Sequence, residues 1–217
     1  MKRYTMFGAL AALVLVAPVG HGQAVGAGAA VDNRSVPQMR FEWEDFIKLK
    51  DGENLGEVLG VAVNSKGEVA VLNHPGTATS GPLFGNATTE ILLFDRNGRF
   101  KREIGKRVYA LGYGHSIRYD RHDNLWIVDK GTDSVIKFAP NGKVLMNLGR
   151  RPEGYDSGHY EPPKQADARP RDGWFGSPTD VTWDQDDNIY VSDGYVNSRI
   201  AKLNKDGDWI TSWGKYG

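Results

Sequence analysis

The chain has 217 residues and no cysteine, and its 27 basic and 27 acidic side chains give a formal net charge of zero. This balance argues against nucleic acid and against an anionic membrane surface as partners. Because cysteine is absent, the hydrophobic core must hold the fold without help from disulfides.

The N-terminus has the features of a secretory signal. Lys2 and Arg3 give a positively charged start, and the apolar stretch 6–19 is too short for a stable membrane span. Small residues around Ala24 suit cleavage, so 1–24 is predicted to be a signal peptide. An uncleaved N-terminal anchor is the alternative. Cleavage predicts a periplasmic or secreted protein with no membrane contact.

Composition then separates a leader from a folded region. Residues 25–40 are rich in alanine and glycine and lack a periodic apolar pattern, so they are predicted to be a disordered leader. Residues 41–217 remain for the fold, and they are enough for one substantial core.

An internal repeat dominates the folded region. Three segments align without gaps: GVAVNSKGEVAVLN at 60–73, SIRYDRHDNLWIVD at 116–129 and DVTWDQDDNIYVSD at 180–193. Each has two alternating runs around a polar turn. Alternation with period two places one side of a strand in a core, so each segment is predicted to be a β-hairpin.

A second hairpin follows each repeat, at 89–105, 134–149 and 198–214. Asn-Gly or Asp-Gly stands at its tip, which predicts a two-residue type I′ turn. Two hairpins give four antiparallel strands, the unit of a β-propeller. We therefore predict an all-β, NHL-type propeller of twelve short strands without helix, with blades at about 58–105, 115–149 and 178–214.

Three blades do not close a ring, since closed propellers have four to eight. Two blade faces would then lack a neighbour, and we expect self-association through these open edges. A truncated product is the simpler interpretation, and two chains completing one propeller is the alternative. The long loops 75–88 and 150–178 are expected to contribute to a functional site.

Specific motifs lie within the third and second repeats. Residues 192–199 read SDGYVNSR and are preceded by PTDV at 178–181, while GHSI stands at 114–117 and GVAV at 60–63. In these motifs the chain resembles the first half of the peptidyl-α-hydroxyglycine α-amidating lyase (peptidylamidoglycolate lyase) family, whose fold is a six-bladed propeller.

The resemblance implies a metal-dependent enzyme that cleaves a peptidyl-α-hydroxyglycine to a peptide amide and glyoxylate. It implies that His115 is a zinc ligand, that Tyr195 is the catalytic tyrosine, and that the backbone carbonyls of Val61 and Ile117 hold a calcium ion. His74 stands where the family has an arginine. It is therefore a candidate for the cation beside Tyr195, or for the base itself.

The resemblance also implies that the chain alone is inactive, because the family's second and third zinc histidines belong to later blades. His122 in a hairpin turn and His159 in a long loop are the other histidines after the signal. From the residues alone, a lone histidine is more often a satisfied polar group than a metal ligand.

Two recurring aspartates and one arginine complete the candidates. Asp129 and Asp193 occupy the same repeat position, which favours a structural role in binding loop N–H groups. Arg199 does not recur and is a candidate for more than a structural role. Two functions stay open: a lyase acting on a small peptide-like substrate, and a non-enzymatic NHL propeller that binds a partner through its loop face.

Overall fold

The computed structural model describes residues 37, 39–49, 51–76, 89–149 and 170–215. The predicted signal peptide, most of the predicted leader, His159 and much of both long loops lie outside these ranges. Residues Glu44–Gly217 form one compact unit, distinct from Met1–Trp43. Within the described part, no helix is long and apolar enough to span a bilayer.

Three four-stranded antiparallel sheets make up the fold, which confirms the predicted all-β propeller architecture. Blade 1 contains β1 (Glu57–Val63), β2 (Val69–His74), β3 (Glu90–Phe94) and β4 (Phe100–Ile104). Blade 2 contains β5 (Gly114–Tyr119), β6 (Leu125–Asp129), β7 (Ser134–Phe138) and β8 (Val144–Leu148). Blade 3 contains β9 (Asp180–Trp183), β10 (Ile189–Asp193), β11 (Arg199–Leu203) and β12 (Trp209–Trp213). Strands pair in chain order within each blade.

The blades pack face to face through alternate residues of their strands. One apolar cluster joins blades 1 and 2 through residues such as Leu72, Ile91 and Ile127, and a second joins blades 2 and 3 around Trp126 and Val191. The first strands β1, β5 and β9 lie side by side. This stacking brings the loops at one end of the three blades together.

The turn prediction is wrong in type. A type I′ turn needs positive φ at both central residues, yet in the Asn97-Gly98 turn only Gly98 is left-handed, at 74°. The Gly98 N–H donates to the Asp95 carbonyl at 2.9 Å, and the strand register shifts beside Phe94. This is a type I turn closed by a glycine bulge, and Gly142 and Gly207 have the same arrangement.

Side chains at the first turn position stabilise the hairpin turns in every case but the Asn141-Gly142 turn, which begins at Ala139. The Asp95 carboxylate accepts the Asn97 and Arg99 N–H groups at 2.8 and 3.0 Å. Equivalent bonds form at four more turns, which begin at Asn64, Asp120, Asp184 and Asn204. Five of the six hairpin turns are therefore fixed by an aspartate or asparagine that binds the backbone ahead of it.

Residues 46–49 and Leu55, which precede β1, cover part of the outer face of blade 1. Phe46, Ile47, Leu49 and Leu55 pack against a cluster of three buried side chains, Val69, Val71 and Phe94. The Lys48 N–H also donates to the Gly98 carbonyl at 2.9 Å. The expectation that this blade face lacks any neighbour is thus wrong for the region around Val69, Val71 and Phe94. Self-association through the open blade edges stays a prediction.

Buried carboxylates tie the second strands of blades 2 and 3 to nearby loops, which confirms the structural role predicted for Asp129 and Asp193. The Asp193 carboxylate is fully buried and accepts the Gly176 N–H at 2.7 Å. The Arg199 guanidinium, also buried, donates to Asp193 at 2.8 Å and to the carbonyl oxygens of Pro170, Arg171 and Trp174. Arg199 therefore has a structural role, as the partner of Asp193.

We expect Gly98→Ala to destabilise the chain more than Gly142→Ala. Both positions are left-handed, which costs an alanine roughly 1–2 kcal/mol. A Cβ at Gly142 would meet only the flexible end of Arg102, whereas a Cβ at Gly98 would lie 1.8 Å from the Phe46 carbonyl oxygen. Urea unfolding measures the difference, and light scattering should show more association for Gly98→Ala. If the two variants had equal unfolding free energies, residues 46–49 would not be packed against the Gly98 turn.

Arg199→Met should lower the free energy of unfolding by about 3–5 kcal/mol, because it leaves the buried Asp193 carboxylate without its cation. The control is Lys205→Met, which removes an exposed ion pair with Asp206 and should change stability little. Chemical denaturation followed by tryptophan fluorescence measures both. If Arg199→Met lost no more unfolding free energy than the control, the Arg199–Asp193 ion pair would not be a major stabilising contact.

Candidate functional site

The candidate site combines the start of β5, where Tyr113 and His115 lie, with the ends of the second strands and the loops that follow them. Asn73, Asp129 and Asp193 end the three aligned repeats, and His74 and Lys130 come directly after the first two. Burial raises the pKa of Asp129, although hydrogen bonds from the Thr132 and Tyr113 N–H groups, both at 2.8 Å, act in the opposite direction. These bonds fix the loop on which Lys130 stands.

His115 and Tyr195, predicted as site residues, lie together although they are 80 positions apart. The His115 Nδ1 lies 2.9 Å from the Thr179 carbonyl oxygen, and its Nε2 lies 3.4 Å from the Tyr195 hydroxyl. A carbonyl oxygen only accepts, so Nδ1 carries the proton in this contact. The lone pair of neutral His115 is then on Nε2 and faces Tyr195.

Tyr195 has an unusual backbone for its residue type. Its φ is 51°, in the left-handed region that favours glycine, and its side chain is 68% exposed. The Val196 N–H donates to the Gly176 carbonyl at 3.3 Å, beside the buried Asp193 carboxylate. Left-handed non-glycine residues are uncommon and concentrate at functional sites, where surrounding contacts hold them.

Lys130 and Tyr113 complete the group around Tyr195. The Lys130 ammonium lies 4.3 Å from the centre of the Tyr195 ring and 4.9 Å from that of Tyr113. Both distances are within the range of cation–π attraction. The sequence reasoning missed these residues, although one signal was present: Lys130 directly follows the repeat aspartate, and Tyr113 stands two positions before His115.

His74 lies on the other side of Tyr113. Its ring is fully buried, with Nδ1 3.4 Å from the Glu57 carboxylate and its ring centre 4.8 Å from that of Tyr113. Burial, and then the negative charge of Glu57, raise the pKa of Tyr113. The cation in contact with Tyr195 is Lys130, and the catalytic role predicted for His74 stays a prediction.

His115 suits a zinc ligand, because one ring nitrogen is held by a carbonyl and the other is available. A catalytic zinc normally takes three protein ligands. The described ranges contain no group of three histidine, cysteine or acidic side chains that could hold a metal ion. These ranges thus offer one ligand of the predicted set.

The predicted calcium position lies where β1 meets β5. A Cβ on Gly60 would lie 2.9 Å from the Ile117 side chain and 3.6 Å from its backbone nitrogen, so the two strands approach closely there. Val61 directly follows Gly60 in β1. Calcium binding by their carbonyl oxygens stays a prediction.

Sequence comparison finds relatives among amidating enzymes. Peptidylglycine alpha-amidating monooxygenase from Rattus norvegicus is 28% identical over 177 residues, which are 74% of this chain and 16% of that protein. The Mus musculus enzyme is 30% identical over 177 residues, again 74% of this chain and 16% of that protein. Peptidyl-alpha-hydroxyglycine alpha-amidating lyase 1 from Drosophila melanogaster is 25% identical, over 74% of this chain and 30% of that protein. The chain thus spans less than a third of each of these three relatives.

Solved structures support the fold. Hydrazine synthase from Kuenenia stuttgartiensis superposes with a TM-score of 0.50 and 11% identity, over 81% of this chain and 41% of that chain. A candidate gluconolactonase superposes with a TM-score of 0.50 and 13% identity, over 81% and 53%. At such identities the likeness concerns the propeller fold alone.

No protein-family model matches the chain. The Drosophila melanogaster relative is nevertheless named for the lyase activity that the SDGYVNSR segment indicates. Over about three quarters of its length, this chain is therefore a relative of the peptidyl-α-hydroxyglycine α-amidating lyases, and the resemblance seen in its motifs is confirmed.

Proposed function

We propose that this chain forms part of an exported lyase that cleaves a peptidyl-α-hydroxyglycine to a peptide amide and glyoxylate. The relatives support an amidating-lyase type of activity. One observation links the proposal to particular residues. His115 and Tyr195 come from different blades, and the His115 Nε2 lies 3.4 Å from the Tyr195 hydroxyl. The signal features of 1–24 support export, and a six-bladed ring is part of the proposal.

The reaction needs a base at the carbinol hydroxyl. As the base takes this proton, the carbon–oxygen double bond of glyoxylate forms and the carbon–nitrogen bond breaks. The amide nitrogen leaves with the bonding pair and takes up a proton. Atoms and charge balance without an oxidant, so one positioned proton acceptor is the central requirement.

The surroundings distinguish the two tyrosines for this role. Burial and Glu57 raise the pKa of Tyr113, which keeps that phenol protonated. Tyr195 is mostly exposed, has Lys130 against its ring, and contacts the Nε2 of His115. Because its side chain is exposed, Tyr195 is accessible to a substrate carbinol, which supports Tyr195 as the base and Tyr113 as a neutral neighbour.

His115 is the proposed zinc ligand, through Nε2, and a zinc ion bound there would supply Lewis-acid assistance. Because the described ranges provide one ligand of the usual three, no step is derived through the metal. Calcium at Val61 and Ile117 is proposed as structural. A propeller that only binds a partner is the alternative, and the experiments below separate the two.

His115→Ala should remove both zinc and activity in a protein that includes these blades and the later ones that complete the site. The reason is that the variant loses a metal ligand, whereas His122→Ala, the control, changes an exposed turn residue paired with Asp187. Elemental analysis and glyoxylate release measure the two effects. A protein without metal, or a His115→Ala variant that keeps its zinc, would contradict the assignment.

Tyr195→Phe should keep the zinc and lower kcat by roughly 100- to 10,000-fold, the usual contribution of a general base. Only the hydroxyl is lost. Tyr109→Phe is the matched control, since Tyr109 is 87% exposed. Normal turnover of a hydroxyglycine peptide by Tyr195→Phe would exclude this mechanism and favour the partner-binding propeller.

A further inference from the structure

The charge of Lys130 is surrounded by aromatic rings and not by carboxylates in the described part of the chain. Five other described lysines form ion pairs with carboxylates: Lys101, Lys106, Lys137, Lys202 and Lys205. Two of these, Lys137 and Lys202, also lie over an aromatic ring. In the same ranges, Lys130 forms no ion pair, and its ammonium contacts the rings of Tyr113 and Tyr195 instead. A half-buried cation held against two phenol rings is available for an anionic ligand.

The backbone around Lys130 fixes where this charge lies. The Lys130 N–H donates to the Tyr113 carbonyl at 2.9 Å, and the preceding Asp129 carboxylate accepts the Tyr113 N–H. Gly131 lies close to Tyr113: a Cβ added to Gly131 would be 2.6 Å from the Cβ of Tyr113. The loop is thus attached to the Tyr113 segment on both sides of Lys130. The ammonium is positioned by the fold before any ligand arrives.

We propose that Lys130 binds the carboxylate of the substrate and thereby presents the carbinol to Tyr195; this rests on the proposed lyase function. In a peptidyl-α-hydroxyglycine, the carboxylate is bonded to the same carbon that carries the hydroxyl and the amide nitrogen. A cation beside the Tyr195 ring therefore holds the reacting carbon near the Tyr195 hydroxyl. Lys130 selects substrates that end in a free carboxylate.

His74 is less suited to this contact. Its ring is fully buried and lies beside the Glu57 carboxylate, whereas Lys130 is half-buried. A substrate carboxylate approaching His74 would also meet the negative charge of Glu57. Charge and access both favour Lys130 as the carboxylate-binding residue.

The test measures binding without turnover, so that it stands apart from the lyase activity. The chain is titrated with an N-acylglycine, which has the carboxylate but no carbinol, and with the matching N-acylglycine amide. Dissociation constants come from NMR, with the ring protons of Tyr113 and Tyr195 as local probes. We expect the carboxylate to bind about 10- to 100-fold more tightly than the amide, the usual range for a charge-assisted contact.

Lys130→Met should abolish this preference, and Lys130→Arg should keep most of it because the positive charge remains. The control is Lys143→Met, in an exposed hairpin turn remote from these rings. Added sodium chloride should weaken binding of the carboxylate and not of the amide, a measurement that needs no variant. Equal binding of the two ligands by the unaltered chain, or an unchanged preference in a folded Lys130→Met variant, would overturn the proposal.

Discussion

The buried aspartate at the end of the second strand is the constraint on which the site depends. In blades 2 and 3 this side chain, Asp129 or Asp193, is fully buried and accepts N–H groups from neighbouring loops. A buried carboxylate is tolerated only when its oxygens are satisfied, so these loops have little freedom. Lys130 comes one position after the first aspartate and Tyr195 two positions after the second. Lys130 and Tyr195 thus stand on loops that these bonds hold in place.

Repetition also explains why these residues meet. Stacked blades place the same loop of each repeat at one end of the fold, so residues distant in sequence become neighbours in space. His74 and Lys130 occupy equivalent positions, and both contact the ring of Tyr113. A change of residue type at one repeated position therefore changes the site without disturbing the sheets. Such positions let a propeller keep its fold while its function diverges.

Much of the fold could be predicted because its signals are local. Alternation with period two and the polar turns are read within one repeat, and the twelve strands follow. The turn type was wrong because dipeptide preference ignores the carboxylate two residues earlier: Asp95 binds the backbone and imposes a type I turn. The covering residues 46–49 and Leu55 were missed because they lack strand periodicity. The His115–Tyr195 pair came from motif resemblance, whereas the contacts of Lys130 depend on blade stacking, which no local pattern reports.

Two phenols and two basic side chains alternate within this site, and their surroundings assign them different chemistry. Tyr113 lies near Glu57, whose negative charge and the burial of the ring both oppose its ionisation. Tyr195 is exposed, and Lys130 lies against its ring. The two phenols therefore have different surroundings within one site, one partly buried beside a carboxylate and one exposed beside a cation. In the proposed lyase reaction one proton leaves oxygen and another reaches nitrogen, and two phenols with different surroundings suit two separate proton transfers.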